Sequence, residues 1–185
     1  MDLSNWVEIA KKLGAINEEG QENSSSDKAR EAIELLLGED FCRESVRHYV
    51  SLGAGRELLR GVLWQLHPFS AMDECYRIFK DAPDVQNKRD AVELLRVVAD
   101  RRALNWVSEF LEYDDVGVQN WAIGIVDQLI FSELCEPEEV ESILCIAASH
   151  SNEYVRDQEK NIRAMLASNE EQDKVLSEFY ERKNA

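Results

Sequence analysis

The sequence predicts an all-α fold of about four stacked helix hairpins, and three observations carry that expectation. Breakers are scarce, with eight Gly and three Pro among 185 residues, which favours long helices. Apolar residues recur at i, i+3, i+4 and i+7, one face of a helix, as in Ala91, Leu94, Leu95 and Val98. That face then repeats along the chain. Moved 31 residues on, it becomes Ala122, Ile125, Val126 and Leu129, while Asp84-Val85 falls on Asp115-Val116 and Phe79 on Phe110. Moved 32 residues back, it becomes Leu59, Val62, Leu63 and Leu66. A copy 37 residues downstream, Glu159, Ile162, Arg163 and Leu166, keeps two apolar positions, as expected of the worn last unit of an array.

Taken in order, the chain divides into N-terminal helices over 1–38, repeats over 39–168, and a C-terminal helix and tail over 169–185. Ser4 is expected to cap a first helix with the face Trp6, Ile9, Ala10 and Leu13, closed by Gly14. A polar linker covers 17–26, after which Asp27 is expected to cap a helix with the face Ala29, Ile33 and Leu36 or Leu37. Asn23-Ser24-Ser25 matches the glycosylation pattern but has no secretory context to use it. Each repeat then reads as a first helix, a tight turn and a second helix. The first helices are expected over 41–51, 71–81, 103–113 and 138–149, and the second over 56–67, 87–100, 118–132 and 154–167. Gly53-Ala54-Gly55, Pro83-Asp84, Asp114-Asp115 and Ser151-Asn152 supply turn chemistry, and Pro137 suits a helix start. One more short helix is expected over 173–180, with Val175, Leu176, Phe179 and Tyr180 as its apolar residues. Such hairpins bury their apolar faces only by stacking.

A two-helix unit of this length with Asp and Val entering the second helix resembles the HEAT-like repeat family over residues 40–167. The closest matches are Asp81-Ala82-Pro83-Asp84-Val85 and Asn152-Glu153-Tyr154-Val155-Arg156. The usual proline within the first helix is missing, and the basic residue near the turn recurs only in places. The resemblance implies a right-handed α-solenoid with extra N-terminal helices, whose second helices line the concave side. The Trp, Leu-Gly and Tyr pattern of tetratricopeptide repeats is missing.

At 44% apolar and 31% charged, the chain has enough apolar residues to bury a core. Its apolar runs fall short of a membrane span, and residues Met1, Asp2, Leu3 and Ser4 give no secretory signal, so a cytoplasmic protein is expected. Cys42, Cys75, Cys135 and Cys145 lack metal-ligand spacing and read as free thiols. His48, His67 and His150 are scattered and read as structural, with His67 beside a helix end. No phosphate loop or nucleophile motif occurs, and no cofactor or metal is expected.

Charge gives the sharpest functional signal. The net charge is −16, yet residues 41–100 balance at nine acids against nine bases. Residues 103 to 155 hold no Lys or Arg and eleven carboxylates, Asp114, Asp115 and Asp127 among them. This excludes binding to a nucleic-acid backbone or an anionic membrane, both of which require clustered bases. Paired general acid–base work needs a cleft, and calcium needs alternating oxygen ligands with a glycine, which the acids lack. A merely solvated surface is the competing interpretation. Docking of a cationic partner explains the exclusion of bases better, because a surface of one sign steers its opposite.

Opposite the apolar face of the second helices, aligned positions form rows. Trp64, Arg96, Asp127 and Ala164 make one; Glu57, Arg89, Asn120 and Asp157 another; Arg60, Val92, Ile123 and Lys160 lie beside them. Trp64, Arg96, Asn120, Asp127, Asp114, Asp115, Glu57 and Asp157 are therefore the candidate partner-binding residues, with Trp and Arg suited to hot spots. In size, charge and repeat architecture the chain resembles the immunity proteins that bacteria pair with polymorphic or contact-dependent toxins. That resemblance implies a non-enzymatic, monomeric inhibitor of a basic toxin, possible nucleases included. A general adaptor or assembly scaffold is the alternative, and a HEAT-like DNA glycosylase a further one.

Overall fold

The computed structural model describes residues 6–23 and 25–184; for residues 170, 172, 173 and 175–184 the description covers their helix and not their side chains. Ser4 and Ser24, named above as a cap and as part of a glycosylation pattern, lie outside the described residues. The fold is all-α, and the one β feature among the described residues is an isolated bridge between Ile16 and Glu22.

The helices are α1 (Trp6–Lys12), α2 (Ser26–Leu37), α3 (Glu39–Val50), α4 (Arg56–Leu66), α5 (Phe69–Asp81), α6 (Val85–Val98), α7 (Leu104–Glu112), α8 (Val116–Phe131), α9 (Pro137–Ala148) and α10 (Glu153–Asn184), with a 3-10 turn at Arg101–Ala103. Contacts divide the chain into two compact units, Met1–Ala99 and Asp100–Ala185.

In the first unit α3 packs on α4, α5 packs on α6, and α3 lies against α5 as α4 does against α6. Its core holds Cys42, Val46, Tyr49, Leu63, Met72, Cys75, Phe79, Leu94, Leu95 and Val98. The second unit follows the same scheme: α7 packs on α8, α9 on α10, α7 on α9 and α8 on α10. Val107, Phe110, Leu111, Ile123, Ile125, Leu129, Leu144 and Ile162 fill its core.

The recurring Asp or Asn at the turns has a direct physical role. Asp84 accepts from the Gln86 backbone N–H at 3.2 Å, Asp115 from Val118 at 3.0 Å, and Asn152 from Tyr154 at 3.0 Å. Each caps the start of a second helix, satisfying an amide that the helix itself leaves unpaired. One turn further in, a side chain reaches back to the end of the preceding helix. Lys88 donates to the Phe79 and Lys80 carbonyls, Gln119 to Tyr113 at 2.8 Å, and Arg156 to His150 at 2.6 Å and Ser151 at 2.8 Å. These residues keep the offsets of the repeat, and Gln119 retains the bond without the charge.

Four local expectations need correction. Ser25, not Asp27, caps α2, its hydroxyl accepting from Lys28 N–H at 3.3 Å, while Asp27 sits in the first turn and favours the helix dipole. The α2 face is shifted as well: Ala32 is buried, and Ile33, Leu36 and Leu37 are exposed. On α4, Leu63 is buried but Val62 is exposed. The separate helix expected over 173–180 does not form on its own, because α10 runs unbroken from Glu153 to Asn184. Ser168-Asn169 carries no glycine or proline to stop it.

The two polar positions of the worn last copy are satisfied rather than simply lost. Arg163 pairs with buried Glu159 and grips Glu141 of α9 through two bonds of 2.9 and 3.0 Å. The N-terminal segment is tied in by a different device. Helix α5 begins after Pro68 with no cap of its own. Glu34 of α2 accepts instead from the Phe69 N–H at 3.0 Å, the Ser70 N–H at 2.9 Å and the Ser70 hydroxyl. Glu34→Ala should therefore cost about 1–2 kcal/mol in urea denaturation, the usual penalty for a lost cap. A change below a few tenths would show that the clamp carries no stability.

Candidate protein-binding surface

The eight candidate residues fall on both units. Glu57, Trp64 and Arg96 belong to the first; Asp114, Asp115, Asn120, Asp127 and Asp157 belong to the second.

On α4, Trp64 is 47% exposed, well off the side that buries Leu63. Leu58, at 78%, is the most exposed large apolar side chain among the described residues. Glu57 is exposed and pairs with Arg56 at 3.3 Å and Arg60 at 3.5 Å. Arg96 is half-buried on α6. Beneath them lies a network that the sequence did not announce. Tyr49 of α3 donates to Glu93 of α6, which also receives Arg60 of α4 at 3.1 Å. The guanidinium of Arg56 stacks 5.2 Å above the Tyr49 ring. Burial and the Glu93 carboxylate push the Tyr49 phenol up, so it remains a neutral donor. Arg60 stands in one of the aligned rows of the sequence, but only the packing of three helices brings Glu93 to it.

In the second unit, Asp114 is exposed in the α7–α8 turn, whereas neighbouring Asp115 is held as the α8 cap. Asn120 accepts from Asn152 at 2.9 Å, and Asn152 also donates to Gln119 at 3.0 Å. His150 completes this joint between turns, with Nε2 2.9 Å from the Leu111 carbonyl and Nδ1 accepting from the Asn152 N–H at 3.1 Å. Asn120 thus helps fasten the two turns. Asp127 is half-buried on α8. Asp157 is exposed on α10, and its hydrogen bond to Lys160 at 2.9 Å holds its carboxyl below the usual range.

The row of Arg60, Val92, Ile123 and Lys160 is not a continuous surface, since Val92 and Ile123 are fully buried. Helices α6 and α8 bury more than one side, because each packs on its own partner helix and on a neighbouring pair.

The acid-rich stretch also divides. Asp115 caps α8; Glu136 and Glu139 form a capping box at the start of α9; Glu141 is taken by Arg163, which holds its carboxyl low. Among the described residues Glu112, Asp114, Asp127, Glu133, Glu138 and Glu153 have no basic side chain paired with them. Over residues 100–185 there are nineteen carboxylates against eight basic side chains, a balance of −11; residues 1–99 balance at −5.

Other chemistry is thinly represented. Burial raises the thiols of Cys42 and Cys75 and pushes Cys135 up to about 11, the opposite of what a nucleophile requires. Among the described residues no group of three His, Cys, Asp or Glu converges as a metal site, and no helix is long and apolar enough to cross a membrane. His67 sits 3.0 Å from the Val98 and Ala99 carbonyls at the end of α6. His48 lies 2.9 Å from the Ala54 carbonyl, its ring occupying the space a Cβ at Gly53 would need. Set against protein-family models, curated proteins and solved structures, the chain matches none of them.

Proposed function

We propose that this chain is a non-enzymatic protein-binding module, a HEAT-like α-solenoid of four hairpins whose acidic second unit captures a partner with a basic surface. The repeat reading is supported by the packing of first helix on first and second on second within each unit. The binding reading rests on one observation: among the described residues several carboxylates of this stretch, Asp114 and Asp127 foremost, neither cap a helix nor form an ion pair. Folded surfaces of one sign speed the capture of oppositely charged proteins. An immunity-type inhibitor that covers the basic site of a toxin is the use that best fits such a surface.

The test begins with a native-lysate pull-down, followed by association kinetics with the captured protein. Asp114→Lys with Asp127→Lys should slow association by about tenfold or more at low salt, with the difference shrinking as salt rises. Asp115 is left intact so that α8 keeps its cap. Equal rates at low salt would remove the acidic-docking reading. Trp64→Ala, in the same assay, should weaken binding by about 2 kcal/mol if the first unit supplies a hot spot. Stoichiometric loss of the partner's activity marks an inhibitor, and retained activity marks an adaptor.

A further inference from the structure

Helices α1 and α2 border a groove that has no part in the proposed capture surface. Its volume is about 500 Å³, and all but two of the residues that line it are apolar, Trp6, Ile9, Leu13, Ile16 and Ile33 among them. Helix α1 buries none of its residues, and Trp6, Val7 and Ile33 are exposed, so the groove is open to solvent. Amphipathic helices ordinarily turn such a face onto another element. Here α1 leaves much of its own bare.

The loop after α1 gives the groove a built end. The Ala15 N–H donates to the Ala10 carbonyl at 2.7 Å, and the Asn23 N–H donates to the Ala15 carbonyl at 2.8 Å. Between them Ile16 and Glu22 form the isolated bridge, and Asn17 accepts from the Gln21 N–H at 2.8 Å. These bonds hold Ala15 and Ile16, both lining residues, in place. A wall already in position spares a ligand the cost of ordering it.

The two charged lining residues differ. Glu22 is exposed. Lys28 is half-buried on α2 and donates to the Gly14 carbonyl at 2.7 Å and the Asn23 carbonyl at 2.9 Å. Both acceptors are neutral, whereas an ammonium carries three donors and a full charge. Among the described residues no carboxylate pairs with Lys28, Glu22 included. The groove therefore sets an uncompensated cation beside an apolar trough.

We propose that the α1–α2 groove binds a small aliphatic monocarboxylate, its chain along the apolar side of α1 and its carboxylate on Lys28. Size favours a small molecule over a docked helix. A helix about 10–12 Å across would fill that volume in about one turn, whereas small-molecule pockets run from about 300 to 1,000 Å³. Charge selects the headgroup: a carboxylate gives Lys28 the charge-assisted bond that its two carbonyls do not, and a cationic head would be repelled. The site uses none of the candidate partner-binding residues, so it stands or falls separately from partner capture.

Amide NMR of the isotope-labelled full-length protein, titrated with sodium hexanoate, octanoate and decanoate, tests it. Shifts should saturate and stay within residues 6–16 and 22–33. Affinity should rise about fourfold for each added methylene. Octanol, with the octanoate chain length and no charge, should bind about tenfold more weakly for want of the charge-assisted bond. Lys28→Gln keeps a donor for the loop. It should lower octanoate affinity to that of octanol and leave octanol itself unchanged, which shows that the groove still forms. Ala29→Phe, at an exposed lining position, should obstruct the groove and weaken both ligands by about tenfold or more. Equal affinity of the wild-type protein for octanoate and octanol would overturn the proposal, and that comparison decides even if Lys28→Gln loosens the loop. Shifts scattered over both units, affinity independent of chain length, or no saturable binding would overturn it as well.

Discussion

Phe110→Ala is expected to destabilise the second unit by about 4 kcal/mol, the middle of the range for truncating a buried aromatic side chain. Phe110 is fully buried on α7, which packs on α8 and α9. Truncation removes the transfer energy of an aromatic ring and leaves a cavity that a close-packed interior fills only in part. Phe110→Leu keeps most of the volume and should cost about 1–1.5 kcal/mol. Urea denaturation followed by far-UV circular dichroism measures both. A loss under about 1 kcal/mol for Phe110→Ala would mean that α7 is not packed as described. Phe79 holds the corresponding place in the first unit, 31 residues earlier, buried and covered by the Lys88 ammonium 5.3 Å from its ring.

Glu74→Ala should cost the first unit about 3 kcal/mol, the lower part of the range for breaking a buried ion pair. Glu74 is 0% exposed on α5 and accepts from Arg47 of α3 at 2.7 Å and from Arg77 at 2.6 and 2.8 Å. Both guanidinia are nearly half exposed, and Arg47 also has Glu44 and Arg77 has Asp81. They therefore stay hydrated when the carboxylate goes, which limits the loss. The bonds to Arg77 and Arg47 hold the Glu74 carboxyl below its ordinary range. Between the folded and unfolded pKa values the unfolded chain binds more protons, so stability rises with pH across that window. The contribution is full above the ordinary glutamate value of about 4.3 and fades as pH falls through the folded value. Glu74→Gln should lose part of the stability at neutral pH and flatten this acid limb. An acid limb identical to wild type would assign it to other carboxylates.

Much of the helical order was legible because two signals agreed, the 3.6-residue period and the offsets of 31, 32 and 37 residues. Asp84, Asp115 and Asn152 could be located by the same offsets, since each does the same local job at a turn. What escaped notice depends on partners distant in sequence. Glu34 looks like any surface glutamate on α2, and nothing near it says that its carboxylate will cap α5 thirty-five residues on. Glu74 looks solvated until α3 closes over it. Val92 and Ile123 occupy positions opposite the main stripe, and only the packing of neighbouring pairs buries them. In the candidate surface, the acid-only stretch was plain, but its division was not. Composition cannot tell Asp115, committed to a cap, from Asp114 beside it, which is exposed.

The side chains that reach back across each turn bear on the order in which the chain folds. Lys88, Gln119 and Arg156 each bond carbonyls only five to nine residues away. Closing so short a loop costs little chain entropy, and contacts near in sequence form early. The α5–α6, α7–α8 and α9–α10 pairs therefore each hold a latch, engaged before the distant partners of their apolar faces arrive. Structure then spreads outward from several turns at once, and damage to one latch delays its own pair without stalling the rest.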